Sequence, residues 1–470
     1  MLNIKNQLNH LPEKKILDYV TDVSHELAIP SYLVGGYVRD LILDRKTTDV
    51  DIMVEGDCIQ FANKLAKKLN IENIVIYEKF QTVLIPHKEI QIEIATARTE
   101  KYEPTSRKPI IESTSVREDL SRRDFTINSI AASLNKEDYG DLVDPFDGIE
   151  DIKKGIIRTP IDTDETLSED PLRMLRAIRF AAQLNFKIDE DVIKSIQKQH
   201  ERLKIISWER ITEEIIKSLK TDKPSIAFYL FKETNLLSYI FPEIDIMPGV
   251  DIVDGHGHKD VFIHTLQVVD NAAKLTDKME IRFAALVHDI AKPNTKKFYP
   301  KKGWTFHGHE YIGSQMVKYV AKRMKLSNKL RDYLCLMTKL HLRPIALVKK
   351  HITDSAVRRL MVEAGDCLDD LMILCRADIT TKNDMKVKKY RANFERVEKL
   401  MEDVTTRDQM RAFQSPIKGE EIMKEFDLKP SRKIGDIKKM IEEAILDGVI
   451  ENNHEEAYQY LMKIKDQFIN

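Results

Sequence analysis

The sequence predicts an α/β head followed by an all-helical remainder. Up to about residue 160, short β-rich runs ("SYLVGGYV", "TDVDIMV", "NIVIYE", "QTVLIP", "IQIEIAT") mix with helical stretches such as "DCIQFANKLAKKLN". From Ser168 onward strand patterns nearly vanish, and apolar residues recur at helical spacing in "EDPLRMLRAIRFAAQL", "DEDVIKSIQKQHERL" and "SWERITEEIIKSL". A chain of 470 residues is too long for one core, so several domains are expected. Pro242, Pro248, Gly249, Gly255 and Gly257 mark a loop-rich boundary. These signals divide the chain into a head (1–160), a helical neck (161–250), a second helical unit (251–380) and a helical tail (381–470).

Composition is that of a globular protein, and the formal charge of −1 gives no global attraction to a polyanion. Contact with nucleic acid must then come from local asymmetry. Cys58, Cys335, Cys367 and Cys375 form no CxxC pair, which argues against a disulfide framework or zinc knuckle and for a reducing compartment. The N-terminus lacks an apolar signal core, and nowhere do 18 uncharged apolar residues run together. A cytoplasmic protein is expected, with no membrane partner.

The first element with chemistry is "LVGGYVRDLILDRKTTDVDI". Residues i and i+2 of a strand point to one side with Cα atoms roughly 6.5–7 Å apart, so Asp49 and Asp51 converge. Two converging carboxylates repel unless a cation lies between them. Oxygen ligands of this kind suit Mg²⁺ together with substrate phosphates, the pattern of phosphoryl or nucleotidyl transfer. Gly35 and Gly36, between a strand and a helix, let backbone amides approach a triphosphate, and Arg39 stands one turn further on. Glu93 in "IQIEIAT" is a candidate third carboxylate. The plainer alternative is a solvated strand edge beside an ordinary turn.

"REDLSRRDFTINSIA" sets Arg122, Arg123 and Asp124 before an expected helix, and arginine forks suit phosphates. "SEDPLRMLRAIRF" predicts a helix with Ser168 as its cap and Pro171 in its first turn. Arg173, Arg176 and Arg179 share a face, with Asp170 one turn before Arg173. A carboxylate beside a guanidinium complements the amine and ring nitrogen of cytosine or adenine, so protein side chains could select C and A. An ordinary ion pair on a helix surface remains the alternative.

Taken in order, "LVGGYVRD…TDVDI", "RRDFTIN" and "EDPLRMLRAIRFAA" resemble the class II tRNA nucleotidyltransferase / poly(A) polymerase family, bacterial branch. The resemblance continues into the tail at "GEEIMKEFDLKP…IGDIKKMIEEAILDGVI". It implies a polymerase-β-like head binding Mg²⁺ through Asp49 and Asp51, with Glu93 a weaker third ligand. Gly36, Arg39 and Arg123 would handle phosphates and sugar, Asp170 and Arg173 would read the base, and Arg176 and Arg179 would support that site. The implied activity is addition of C, C and A to tRNA from CTP and ATP. Asp44 stands where the family usually has glycine, and Ser431 interrupts the tail's usual Pro-Gly. The polar segment 98–115 matches the flexible loop of full CCA enzymes and argues against a CC-only enzyme. A basic motif usual in the poly(A) branch is not found.

A second constellation lies in 251–380. Seven histidines fall between residues 256 and 341: His256, His258, His264, His288, His307, His309 and His341. His264, adjacent His288 and Asp289, and Asp378 resemble the HD phosphohydrolase superfamily, with His309 and His341 fitting its two-metal versions. Imidazoles with carboxylates suit Mn²⁺, Fe²⁺, Ni²⁺ or Zn²⁺. The site is either a phosphohydrolase acting on RNA ends or nucleotides, or a metal-free scaffold. Residues 382–399 carry seven basic and three acidic residues with Tyr390 and Phe394 interleaved, which suggests tRNA contact or simply a solvated helix.

Overall fold

The computed structural model describes residues 2–46, 49–87, 90–101, 110–253, 257–347, 353–408 and 415–465. The chain forms two compact units, residues 1–242 and 243–470.

The first unit is built on strands β1 (Ser31–Val34), β2 (Asp49–Val54), β3 (Val75–Tyr77), β4 (Thr82–His87), β5 (Ile90–Thr96), β6 (Arg98–Lys101), β7 (Ile110–Ser113), β8 (Ala131–Ser133) and β9 (Leu142–Val143). Seven of them make one sheet in the order β3-β4-β5-β2-β1-β8-β9, and β6 and β7 pair as a hairpin. β2 and β5 run parallel, whereas β1 is antiparallel to both β2 and β8. Helix Cys58–Leu69 buries Phe61, Ala62 and Leu65 completely. Each large side chain contributes about 1.5–3 kcal/mol through burial. Asp57 caps that helix by accepting from the amides of Ile59 and Gln60.

Two local expectations are corrected. "DFTINSIA" is not a helix: Thr126–Asn128 form a single 3₁₀ turn, and the chain then enters β8. The run is apolar because it is buried, and a short apolar run does not distinguish helix from strand. Ser168 is not a cap, since it lies inside helix Thr163–Glu169. The chain breaks at Asp170 and Pro171 before helix Leu172–Leu184, and the Asp170 carboxylate accepts from the Leu172 amide. Asp44 adopts φ 54°, so the left-handed turn survives where the family usually has glycine.

The second unit is helical apart from a hairpin pairing Lys297–Tyr299 with Gly303–Thr305. Helices Val261–Leu275, Met279–Val287, His309–Arg323, Asn328–Leu340 and Leu368–Ala377 supply the histidine-rich centre. Helix Asp384–Asp408 buries Phe394, Val397, Met401 and Val404, which recur at helical spacing. The last three helices close a small core around Phe426, Ile437, Ile441 and Leu461.

Candidate active sites

In the head, β2 buries Val50 and Ile52 on one face and carries Asp49 and Asp51 on the other. Parallel pairing sets Asp49 opposite Gln91 and Asp51 opposite Glu93. Three carboxylates therefore share one face, because β5 buries Ile92 and Ile94 on the opposite side. Burial first, and then the Glu93 charge, push the Asp51 carboxyl up to about 6, while Arg123 pulls it the other way. A cation would relieve this repulsion, and oxygen donors are the set a hard divalent ion takes.

The glycine turn closes the other side. Gly35 has φ 69°, and a Cβ there would lie 2.9 Å from Arg123 Nη1 and 3.9 Å from Asp51 Oδ2. Glycine is what allows the guanidinium and the carboxylate to crowd the turn between β1 and helix Gly36–Ile42. Arg39 does not reach outward. It is 4% exposed, donates from Nη1 to Asn128 Oδ1 at 2.7 Å, pairs with Asp40 at 2.8 Å, and lies over the Phe180 ring. Arg123 is held by Asp119, which also takes Arg122 at 2.6 Å. Although burial alone would raise it, the two guanidiniums hold the Asp119 carboxyl below its ordinary value.

Helix Leu172–Leu184 does not set the side chains of Asp170 and Arg173 as a hydrogen-bonded pair, although the Arg173 amide donates to the Asp170 carbonyl at 2.9 Å. Asp170 Oδ2 binds Arg210 at 2.7 Å, whereas Arg173 donates to the carbonyls of Thr166 and Arg122 and to Glu169. Arg176 holds the buried Asp124 at 2.6 Å. Arg179 is buried against Glu214 at 2.6 Å. Phe180 gathers the guanidiniums of Arg39, Arg176 and Arg179 at 5.1, 5.3 and 3.9 Å from its ring centroid. Sequence reading missed Phe180, Asn128, Arg210 and Asp119. Only Asp119 left a signal, standing one helical turn before the two arginines.

The histidine centre of the second unit is denser. Two groups, His264 with His288 and Asp378, and Asp289 with His309 and His341, each place their ligand atoms within 4.8 Å of one another. They are the only groups of this kind among the described residues. Asp289 joins them: Oδ2 lies 3.4 Å from His264 and 3.2 Å from His288, and Oδ1 lies 3.3 Å from His309 and 3.7 Å from His341.

The histidine tautomers follow from the hydrogen bonds. Nδ1 of His288, His309 and His341 donates to the carbonyls of Ala285, Phe306 and Thr338 at 2.8, 2.7 and 2.7 Å. Each Nε2 is thereby left as a lone-pair donor facing the centre. Nε2 of His309 and His341 face each other at 3.3 Å, an arrangement that needs a proton or a cation between them. His288 Nε2 and Asp289 Oδ1 are buried without a hydrogen-bond partner. These orphaned atoms fit a transition-metal centre.

The centre's imidazoles divide by charge. Burial, with His288 nearby, pushes His341 down to about 4, so it is neutral and able to ligate. Burial opposes protonation of His264, but its bonds to Asp289 and Asp378 outweigh that and raise it to about 9. Lys292 also pairs with Asp289, three residues earlier on the chain. A protonated imidazole and an ammonium thus supply the positive charge the carboxylates require. His258 and His307 belong to neither group, and His256 lies outside the described residues. Of the expected loop at 98–115, residues 102–109 also lie outside them.

Comparison with known proteins gives three family matches. Residues 31–158 match the poly A polymerase head domain, 185–247 the probable RNA and SrmB-binding site of polymerase A, and 261–382 the HD domain. The "Multifunctional CCA protein" of Psychromonas ingrahamii is 36% identical over 323 residues, covering 66% of this chain and 74% of that protein. A CCA-adding enzyme in its apo form superposes with TM-score 0.64 at 23% identity, over 98% of this chain and 99% of the other. A tRNA nucleotidyltransferase complexed with a primer tRNA and an incoming ATP analog is 26% identical, with TM-score 0.59, over 81% of this chain and 99% of that one. No described helix is long and apolar enough to cross a membrane.

Proposed function

The chain belongs to the class II CCA-adding enzyme / poly(A) polymerase family with an HD domain, and on that premise we propose that it completes tRNA 3′ ends with C, C and A. The donors are CTP and ATP, and the cytoplasm is where it would meet them. The observation that carries this reading is the register of Asp51 against Glu93, beside Gly35 and Arg123.

Asp49 and Asp51, with Glu93 as a third carboxylate, would hold Mg²⁺. When bound, that ion neutralises the triphosphate and acidifies the primer hydroxyl. The 3′-oxygen forms a bond to the α-phosphorus, the bond to pyrophosphate breaks, and the hydroxyl proton passes to solvent or a carboxylate. Asp51, with its carboxyl near 6, is ionised for this at neutral pH. Arg123, steadied by Asp119, faces the phosphates across the Gly35 turn. Arg39 braces that turn from beneath Gly36. Base selection by Asp170 and Arg173 requires Asp170 to release Arg210, while Arg176 and Arg179 anchor the helix through Asp124 and Glu214.

The second unit would carry a phosphohydrolase centre. His264, His288, Asp378, Asp289, His309 and His341 would hold one or two ions such as Mn²⁺, Fe²⁺, Ni²⁺ or Zn²⁺, which supply an activated water. Asp289 lies between the two groups, with one oxygen toward His264 and His288 and the other toward His309 and His341. In functional terms the head is 1–160, the base-reading neck 161–250, the HD unit 251–380 and the tail 381–470. The deciding experiment supplies tRNA lacking its CCA end with CTP, ATP or both and sizes the products. Full CCA addition supports the reading. Long A tracts or arrest after CC would replace it with a poly(A) or CC-only enzyme of the same fold.

A further inference from the structure

Above the histidine centre opens a cavity of about 890 Å³, with His264 and Asp378 among its lining residues. That is far more room than one phosphate needs and is within the range of small-molecule sites. Part of its wall comes from outside the segment matched to the HD domain, from the first turns of helix Asp384–Asp408: Lys386, Lys389 and Tyr390. Phe306 and Lys259 also line it.

The helix is fixed in place. Phe394 and Val397 are buried, and Arg376 pairs with Glu398 at 2.5 Å. Its N-terminal end therefore presents Lys386 and Lys389 from an anchored rod rather than a loose tail. Both lysines are exposed and have no carboxylate partner among the described residues, whereas Lys292 is neutralised by Asp289. Tyr390, 42% exposed at the cavity wall, gives the same helix an aromatic surface. Unpaired ammonium groups and aromatic faces around a phosphohydrolase centre complement an anion joined to a flat ring.

We propose that Lys386, Lys389 and Tyr390 are the specificity-determining wall of this cavity, the side chains by which a phosphohydrolase acting on RNA ends or nucleotides tells a base-bearing phosphate ester from one without a base. This rests on reading the histidine centre as a phosphohydrolase. The lysines take phosphate oxygens outside the centre, Tyr390 and Phe306 take the base, and the scissile phosphate lies over His264 and Asp378. Water adds to phosphorus, the ester P–O bond breaks, and the departing oxygen takes the proton that water gives up.

The test uses the full chain supplied with Mn²⁺ or Ni²⁺. It compares adenosine 2′-, 3′- and 5′-monophosphates, a short RNA ending in a 3′-phosphate, and glycerol 2-phosphate, which has no base. In Lys386→Ala/Lys389→Ala and in Tyr390→Ala, the ratio of kcat/KM for the preferred nucleotide to that for glycerol 2-phosphate should fall about tenfold, the scale of one charge-assisted contact. Binding of adenosine monophosphate to chelator-treated protein, read by calorimetry, should weaken about as much. The free nucleotides and the RNA arm tell the two sources apart. An unchanged ratio with unchanged binding overturns the wall and leaves the phosphohydrolase standing. Equal loss on every ester, or loss only of tRNA affinity in CCA addition, also overturns it. If wild type hydrolyses nothing, the phosphohydrolase reading fails first, and the calorimetric arm still decides whether this wall binds a nucleotide.

Discussion

The head and the HD unit both gather acidic groups, yet they treat the resulting charge in opposite ways. In the head, Asp49, Asp51 and Glu93 share one sheet face, and partial burial together with the neighbouring carboxylates drives Asp51 up to about 6 against the pull of Arg123. In the HD unit, Asp289 is fully enclosed and meets four imidazoles and Lys292. On the proposed reading, the first arrangement would take up a divalent ion together with its nucleotide. The second has its donors assembled around one buried carboxylate, with His288 Nε2 and Asp289 Oδ1 left unpartnered, and suits a resident ion. Residue type and burial together set this difference: carboxylates alone on a partly exposed face, against carboxylates enclosed among imidazoles.

The sharpest way to break the comparison is to remove one carboxylate from each centre. Asp51→Ala should lower CTP and ATP incorporation about 10³-fold or more, because the charge of the triphosphate loses its counter-ion. Its circular-dichroism melt should stay near wild type. Asp289→Ala should abolish phosphate-ester hydrolysis while incorporation survives. Loss of both activities in either variant would mean the two centres are not independent.

Metal addition gives the next largest effect. Mn²⁺, Ni²⁺ or Zn²⁺ at a hundredfold excess over Kd should stabilise the protein by about 2.7 kcal/mol, seen as a rise in melting temperature that Asp289→Ala loses. Mg²⁺ without nucleotide should do much less.

A third prediction uses pH. In chelator-treated protein, His264 has a folded pKa near 9, above its ordinary 6.5. Its stabilisation is complete below 6.5 and fades as pH rises through 9. His341, at about 4, acts in the opposite sense, and its share is lost as pH falls from 6.5 through 4. The metal-free second unit should therefore melt highest near neutrality and lower on both sides. A flat melting profile across that window would contradict the proton-for-metal account of this centre.

The smallest effect expected is at the glycine turn. Gly35→Ala meets both a backbone region (φ 69°, ψ −139°) closed to side-chain-bearing residues and the Arg123 guanidinium, and should cost about 1–3 kcal/mol of stability as well as nucleotide affinity. Chemical denaturation checks it.

Much of this was legible in the sequence because periodicity and spacing are local. Two aspartates two apart on an apolar run must share a strand face, and a glycine pair before a helical pattern must turn there. The six residues of the histidine centre are likewise legible in the sequence, through the resemblance of His264, His288, Asp289 and Asp378 to the HD superfamily with His309 and His341 beside them, and the fold does bring them together. What the sequence could not reveal was long-range pairing. Asp170 looked like the partner of Arg173 one turn away, but Arg210, forty residues on, takes it. Arg39 read as a residue able to reach a phosphate, and nothing nearby announced Asn128 or Phe180, which it contacts in the fold. "DFTINSIA" read as a helix because burial, rather than propensity, shapes that turn.

The parallel pairing of β2 with β5 has a consequence for how this enzyme can vary. Side chains alternate along a strand, so sliding one strand past the other by a single residue would swing Glu93 to the far side of the sheet. What prevents the slip is the interlocking of Val50 and Ile52 with Ile92 and Ile94 in the interior. Those four aliphatic residues are buried away from the acidic face, yet they act as its ruler: a poorly fitting replacement among them should mis-set Asp51 against Glu93 before it unfolds the head.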